Sequence, residues 1–260
     1  MPDNVSTFWL GDRMGPLERA CLRSFLRLGH PVTLYTYASV DGCPEGLTMA
    51  PADEIVPRPV LDGLSALPPV IFSDYFRYKL QQLGRGTWVD SDVYCVKPFV
   101  FDKNPVFGWQ QRDGWQGKRY LNNAILRLEP DSPLTTALVD VFERNAIAEW
   151  LPLRKRLELR FKGRAAPARV EEVPWAWTGP KLLTWCAQRL GLAHHACRAD
   201  VFYPLRAVDS GVVATPSFEI SSLIKPETLC VHLWRTCLSE HLKRRAPAGT
   251  FLAVLQQEGA

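Results

Sequence analysis

The sequence predicts an α/β fold, and three observations carry that prediction. Short apolar strands alternate with segments of helical periodicity. The first three elements read strand, helix, strand at the spacing of a βαβ unit. Hydrophobic residues make up 47% of the 260 residues and charged residues 22%, the balance of a globular chain rather than a disordered one.

Taken in order, Ser6 to Gly11 (STFWLG) reads as a buried strand. Gly15 and Pro16 open a helix in which Leu17, Cys21, Leu22, Phe25, Leu26 and Leu28 recur at helical spacing, and Gly29 ends it. Val32 to Tyr37 is β-branched and aromatic, a second strand. Residues 39–70, rich in Pro, Gly and Asp, read as one long irregular connection of the kind that often carries function. Ser73 is placed as the N-cap of a helix running to about Leu83 and stopped by Gly84. A short strand, Gly86 to Val89, follows, then Asp90-Ser91-Asp92. Val106 to Trp109 and Ala124 to Leu128 read as further strands. Ser132-Pro133 starts a helix to about Glu149, and Gly179-Pro180 one to about Leu190. A strand at Leu229 to Leu233 runs into His232-Leu233-Trp234. No linker divides the chain, so one domain over 1–260 is expected.

Composition excludes several classes. Thirty-one Lys and Arg against 27 Asp and Glu give a net charge of +4, too small an excess to argue for nucleic acid. No apolar run approaches the roughly 18–20 residues that span a bilayer. The opening Met-Pro-Asp-Asn lacks the character of a signal peptide, so a cytoplasmic location is expected. Seven scattered Cys, without a CxxC pair, read as reduced small apolar residues.

The sharpest chemical feature is Asp90-Ser91-Asp92 after an apolar strand. Residues two apart in extended chain project to one side. Paired carboxylates at a strand's C-terminal end make a hard oxygen site suited to Mg²⁺ or Mn²⁺. The C-terminal edge of an α/β sheet is also where ligands gather. A plain acidic turn is the alternative. Asp74 and Arg77 share one helix face, either as ligands to sugar hydroxyls and phosphate or as a surface pair. Trp9 at the end of the first strand suits a nucleobase, or simply the core. His232 can ligate Mn²⁺, and the Trp234 indole can donate to a phosphate; alternatively His232 is only hydrogen-bonded in place. Asn122-Asn123 can read hydroxyls or make a turn, and Thr178-Gly179-Pro180 is a helix start that can also face an anion. Arg154, Lys155, Arg156, Arg160, Lys162, Arg164 and Arg169 crowd a stretch that also carries Leu151, Leu153, Leu157, Leu159 and Phe161. This basic segment, 154–169, reads either as a solvated helical face or as a peripheral contact with an anionic membrane surface.

These signals occur in an order that resembles the glycosyltransferase family with the DXD sugar-binding motif, which includes bacterial polysaccharide mannosyl-, galactosyl- and glucosyltransferases. It is related more distantly to the catalytic domains of the clostridial glucosylating toxins. The strongest block is FSDYFRYKLQQLGRGTWVDSDVYCVKPF at 72–99, with Asp74, Arg77, Gly84, Gly86, Asp90, Asp92, Lys97, Pro98 and Phe99 on the family pattern. FWLG around Trp9, Asn123, Thr178 to Pro180 and His232 to Trp234 extend it over roughly residues 5–235. Two departures stand out. Gly84-Arg85-Gly86 replaces a Gly-Gly pair, and Trp234 is followed by Arg235-Thr236 rather than by a Ser-Trp pair.

The resemblance implies a single GT-A-type domain with a mixed, mostly parallel sheet, its part at about 1–110 binding the nucleotide sugar and its part at about 111–260 serving the acceptor and closure. It implies a retaining, metal-dependent transfer of a hexose from a nucleotide sugar, UDP-hexose above all, to a glycan or glycolipid. It places Trp9 on the uracil, and Asp92, Asp90 and His232 on Mn²⁺ or Mg²⁺, with Asp90 alternatively on the ribose. It places Trp234 on the β-phosphate, Asp74 and Arg77 on the donor sugar, and Asn123 near the sugar or the acceptor. Polysaccharide biosynthesis at the inner face of a membrane is the implied setting. The competing classes are a nucleotidyltransferase, for which no Gly-rich phosphate loop is present, and a sugar-nucleotide-binding protein without turnover.

Overall fold

The computed structural model describes residues 1–63, 68–111, 119–144, 151–161 and 177–260. Its centre is a six-stranded mixed sheet, mostly parallel. Strand β1 (Val5–Trp9) leads through helix α1 (Pro16–Arg27) to β2 (Val32–Thr36). β1 and β2 run parallel, with Val5 opposite Val32 and Trp9 opposite Thr36. Pro16 at the first helical turn and Gly29 at a φ of 82° past the end bound α1 as the sequence predicts.

The connection at 39–70 is more structured than its composition predicts. It contains β3 (Thr48–Pro51), parallel to β2, and a short helix α2 (Arg58–Gly63). β3 is the sheet edge, and three of its four residues are exposed, so no apolar alternation marks it. An edge strand also tolerates Pro51. Helix α3 (Pro69–Gln82) begins earlier than expected, capped by Pro68. Ser73 lies inside it, and its carbonyl and hydroxyl both accept from Arg77.

β4 (Thr87–Val89) then returns to the other side of β1, in parallel. Gly86 before it has a φ of 93°, and a Cβ there would sit 2.8 Å from the Asn4 carbonyl, so only glycine suits this approach. Arg85 beside it keeps a negative φ, which is why the chain can depart from a Gly-Gly pair here. A turn at Asp90-Ser91, closed by the Val93 amide on the Asp90 carbonyl at 3.1 Å, leads into β5 (Val93–Cys95). β6 (Val106–Trp109) and β7 (Leu121–Arg127) complete the main sheet, β7 antiparallel to both β4 and β6. The strand order is β3-β2-β1-β4-β7-β6, so the chain reverses direction across the sheet between β1 and β4.

Helix α4 (Pro133–Glu143) has the expected cap, the Thr135 amide donating to Ser132 Oγ at 3.2 Å. It ends at Glu143, sooner than the expected Glu149, because Arg144 takes extended backbone; residues 145–149 lie outside the described residues. Helix α5 (Leu153–Phe161) is the described part of the basic segment, of which 162–169 lies outside. Leu153, Leu157 and Phe161 recur every four residues on α5 and are 67%, 44% and 87% exposed. α6 (Pro180–Arg189) packs Leu182, Leu183 and Cys186 into the main core, and a short α7 (Ala199–Phe202) follows.

A second, two-stranded sheet pairs β5 with β8 (Cys230–His232), setting Val93 opposite His232. After it come α8 (Ser239–Leu242) and α9 (Phe251–Glu258). The latter buries Phe251, Leu252 and Leu255 among Leu17, Ala20, Cys21 and Tyr94. Neither β5 nor α9 is anticipated by the sequence reading. On the opposite flank His30 is buried. Its Nε2 accepts the Phe99 amide at 3.0 Å, so its Nδ1 must donate to the Asp3 carbonyl at 2.8 Å. Burial leads in pulling the His30 pKa below the ordinary imidazole range, and the ring is neutral.

Candidate functional site

The reversal between β1 and β4 creates a crevice at the strands' C-terminal ends, where open α/β sheets bind ligands. Trp9 ends β1, and Asp90 follows β4, its amide donating to the Ala124 carbonyl at 2.8 Å. Because β7 runs antiparallel, its N-terminal residues Asn122 and Asn123 meet the same edge. The pairing of β5 with β8 brings His232 to Asp92, and the Leu233 amide donates to the Asp92 carbonyl at 3.0 Å. Ligating atoms of Asp90, Asp92 and His232 all lie within 4.8 Å of one another.

Within this trio, His232 Nε2 sits 3.2 Å from Asp92 Oδ1. Asp92 Oδ2 accepts the Arg235 amide at 2.8 Å. That second bond depends on Trp234, which takes a φ of 58°. A bulky residue at positive φ costs of order 1–3 kcal/mol and persists only where its surroundings enforce it. Here the turn aims the next amide at the carboxylate. The Arg235 side chain is anchored separately, on the buried Glu18 of α1. Burial pushes the Asp92 carboxyl up, but the His232 charge, its hydrogen bond and the Arg235 amide outweigh it and hold the carboxyl at about 2. Burial pulls His232 down, and the Asp92 charge overrides it, leaving the imidazole pKa raised. His232 Nδ1 is buried without a hydrogen-bond partner among the described residues.

The residues fit a divalent cation. Two carboxylates and an imidazole form an oxygen and nitrogen set suited to Mn²⁺ or Mg²⁺ rather than to a soft metal. The imidazole nitrogen beside Asp92 is Nε2, and with the two carboxylates it supplies the donor set that such an ion requires.

Next to the trio lies a closed polar hub. Arg77 is 4% exposed and spans Asp90 at 3.1 Å and Asp74 at 3.6 Å. It also donates to the Asn123 carbonyl at 2.8 Å, and its guanidinium lies 5.0 Å from the Trp88 ring centre. Trp88 Nε1 donates to Asp90 Oδ1 at 2.7 Å, so Asp90 is fixed from two sides. Asp74, 3% exposed, accepts Asn123 Nδ2 at 2.9 Å and Thr178 Oγ1 at 2.8 Å. Gly179 presses on it so closely that a Cβ would come 3.0 Å from Asp74 Oδ2. Burial leads in raising the Asp74 pKa, with Arg77, Thr178 and Asn123 opposing it. Arg77 stays charged, because Asp90 and Asp74 outweigh the effect of its burial.

The structure therefore brings Asp74, Arg77, Asn123, Asp90, Asp92 and His232 together. The first three are engaged chiefly with one another. Trp9 is half-buried at the end of β1, and its indole nitrogen has no partner among the described residues. Trp234 packs on His232 with ring centres 4.2 Å apart. Its indole N–H donates to the Leu205 carbonyl at 2.9 Å rather than facing open space. The sequence reading overlooked Tyr78, Trp88 and the Arg235 amide. Tyr78 stands one helical turn after Asp74, a spacing that marks it as a neighbour. Its hydroxyl receives Asn123 Nδ2 at 3.1 Å and donates to the Thr178 carbonyl at 2.9 Å.

Comparison with known sequence families finds no match, and comparison with curated proteins finds none. Among solved structures the chain is similar to one described as PaToxG Glycosyltransferase, at 11% identity over 75% of this chain and 73% of that one, with a TM-score of 0.41.

Proposed function

We propose that the chain is a metal-dependent glycosyltransferase of the GT-A type. It moves a hexose from a nucleotide sugar, most simply a UDP-hexose, to a glycan or glycolipid acceptor with retention of configuration. The observation that carries this reading is the convergence of Asp90, Asp92 and His232 at the sheet's switch point, beside the Asp74–Arg77–Asn123 hub.

In this reading Asp92, Asp90 and His232 hold Mn²⁺ or Mg²⁺. When bound, the cation supplies charge neutralisation for the departing diphosphate. Arg77 and Trp88 fix the Asp90 carboxylate, and the Arg235 amide fixes that of Asp92, so the site needs little reorganisation when charge develops. Trp9 offers a face to the uracil. Asp74, Asn123 and Arg77 set the wall against which the donor sugar rests, and Trp234 bounds the diphosphate side. The bond from the sugar C1 to the β-phosphate oxygen breaks with its electron pair passing to phosphate. The acceptor hydroxyl oxygen bonds to C1, and its proton passes to the released diphosphate oxygen.

Nucleoside-diphosphate release from a panel of nucleotide sugars, with Mn²⁺ and with EDTA, tests the reading. Metal-dependent release from one sugar supports it. No metal-dependent release together with no UDP binding in either condition contradicts it.

A membrane-side acceptor is part of the proposal. Among the described residues no helix is long and apolar enough to cross a membrane. The exposed Leu153, Leu157 and Phe161 stripe, flanked on α5 by Arg154 and Arg160, supports a peripheral contact with anionic lipid. Co-sedimentation with phosphatidylglycerol vesicles at low salt is expected, and it should be lost in Leu157→Glu/Phe161→Glu. Equal sedimentation of that variant would contradict the contact.

A further inference from the structure

A second concavity, of about 540 Å³, opens beyond β6 and is lined by Gln111, Arg119, Arg198, Ala199, Asp200 and Arg206. Three guanidiniums face one carboxylate there. Among the described residues, counting Lys225 and Asp209, which pair with Asp200 and Arg206 at the rim, leaves the same excess of two positive charges. Arg119 has no carboxylate partner among the described residues; its guanidinium lies 5.3 Å from the Trp109 ring centre. Arg198, with its side chain 77% exposed, reaches Asp200 only at 3.4 Å, and Asp200 already receives Lys225 at 2.9 Å. The Arg198 guanidinium thus shares its acceptor and keeps donors for another anion.

The groove is joined to the site just described. Gln111 Nε2 donates to the Pro204 carbonyl at 3.1 Å, tying the end of β6 to the segment after α7. Leu205, next in that segment, accepts the Trp234 indole, and Trp234 lies against His232. Arg206 follows directly. The groove is therefore linked to His232 through the segment 204–206 and Trp234, on the β6 side of β4. Trp9 and β2 stand on the other side of β4 in the sheet order. A ligand group held here lies away from the nucleobase end of the donor.

We propose that this groove receives an anionic group, phosphate or carboxylate, carried by the acceptor. The assignment rests on the transferase reading for the word acceptor, and on the groove's own charge and shape for the anion. Planar guanidinium forks pair with either oxyanion through parallel hydrogen bonds, which a neutral glycan does not offer.

Titration of the full chain in EDTA with glucose 6-phosphate, glucuronate and glucose tests the site. The same titrations are made on Arg119→Gln/Arg198→Gln, whose side chains are surface groups outside the catalytic hub. Wild type should bind glucose 6-phosphate or glucuronate at least tenfold more tightly than glucose. The double variant should lose that preference at unchanged melting temperature and unchanged UDP affinity in Mn²⁺. Equal binding of all three sugars by wild type, or an unaltered preference in the variant, would overturn the proposal. A parallel loss of UDP affinity would also overturn it, by assigning the arginines to the donor. Should wild type fail to bind UDP at all, the transferase reading falls while the sugar titrations still decide whether the groove takes anions.

Discussion

The two halves of the site differ in how their polar atoms are satisfied. Around Arg77, the side chains of Asp74, Asn123, Thr178, Tyr78 and Trp88 all find partners inside the protein. Around Asp92, His232 Nδ1 and, at the end of β1, Trp9 Nε1 are buried with no partner among the described residues. A closed hub is a scaffold, since a fully satisfied buried network rigidifies what it touches. Unsatisfied buried atoms cost stability and persist where a ligand supplies the missing partner. In the proposed transferase, this difference makes the Arg77 half the positioning half and the Asp92–Trp9 half the binding half.

Breaking the scaffold should have the largest effect on stability. Arg77→Met leaves the buried Asp74 and the partly exposed Asp90 without their cation, and should cost about 3–5 kcal/mol in denaturant unfolding, chiefly through Asp74. A loss under about 1 kcal/mol would mean that the hub is wetter and looser than its bonding indicates. Asp92→Asn touches the binding half and should act on turnover instead, lowering it by roughly 100-fold or more in a folded protein. Full activity would remove Asp92 from the binding set. Trp9→Ala should weaken UDP binding by about 1–3 kcal/mol if ring stacking is the main contact. An unchanged UDP dissociation constant would return Trp9 to the core.

The smallest effect lies far from both halves. The His30 pKa is depressed in the folded state, so the unfolded chain takes up its proton first as pH falls. Its contribution is complete above the ordinary imidazole value, near 6.5. It declines as pH drops through that value toward the folded pKa. Melting temperatures should therefore fall between pH 7.5 and 5.5, and less so in His30→Gln. Identical pH profiles would show that His30 does not couple to folding.

The same contrast explains what was legible in the sequence. β1, α1, β2, β6 and α6 carry regular apolar periods and a Pro or Gly near their ends, so local rules suffice. β7 begins at Leu121 rather than at the expected Ala124, because the polar pair Asn122-Asn123 reads equally well as a turn. β5 is three residues long and becomes a strand only by pairing with β8, more than 130 residues later. β3 is exposed and ends in Pro, so neither pattern nor propensity marks it. In the site, the Asp-x-Asp pair and its helix partners were visible as motifs. The burial of Asp74 and Arg77 was not, because a polar pair at that spacing reads equally well as a surface pair. No residue-level rule predicts a tryptophan at positive φ, and without that turn the Arg235 amide would not reach Asp92.

In the proposed transferase, Asp90, Asp92 and His232 bind a divalent cation that in turn holds a nucleotide diphosphate. Calorimetric titration of Mn²⁺, and of UDP with and without Mn²⁺, reads both steps on wild type and on His232→Ala. Wild type should bind one Mn²⁺ per chain and take UDP more tightly with Mn²⁺, and the variant should lose at least tenfold in both affinities. Mn²⁺ and UDP affinities unchanged in a folded His232→Ala protein would contradict that assignment.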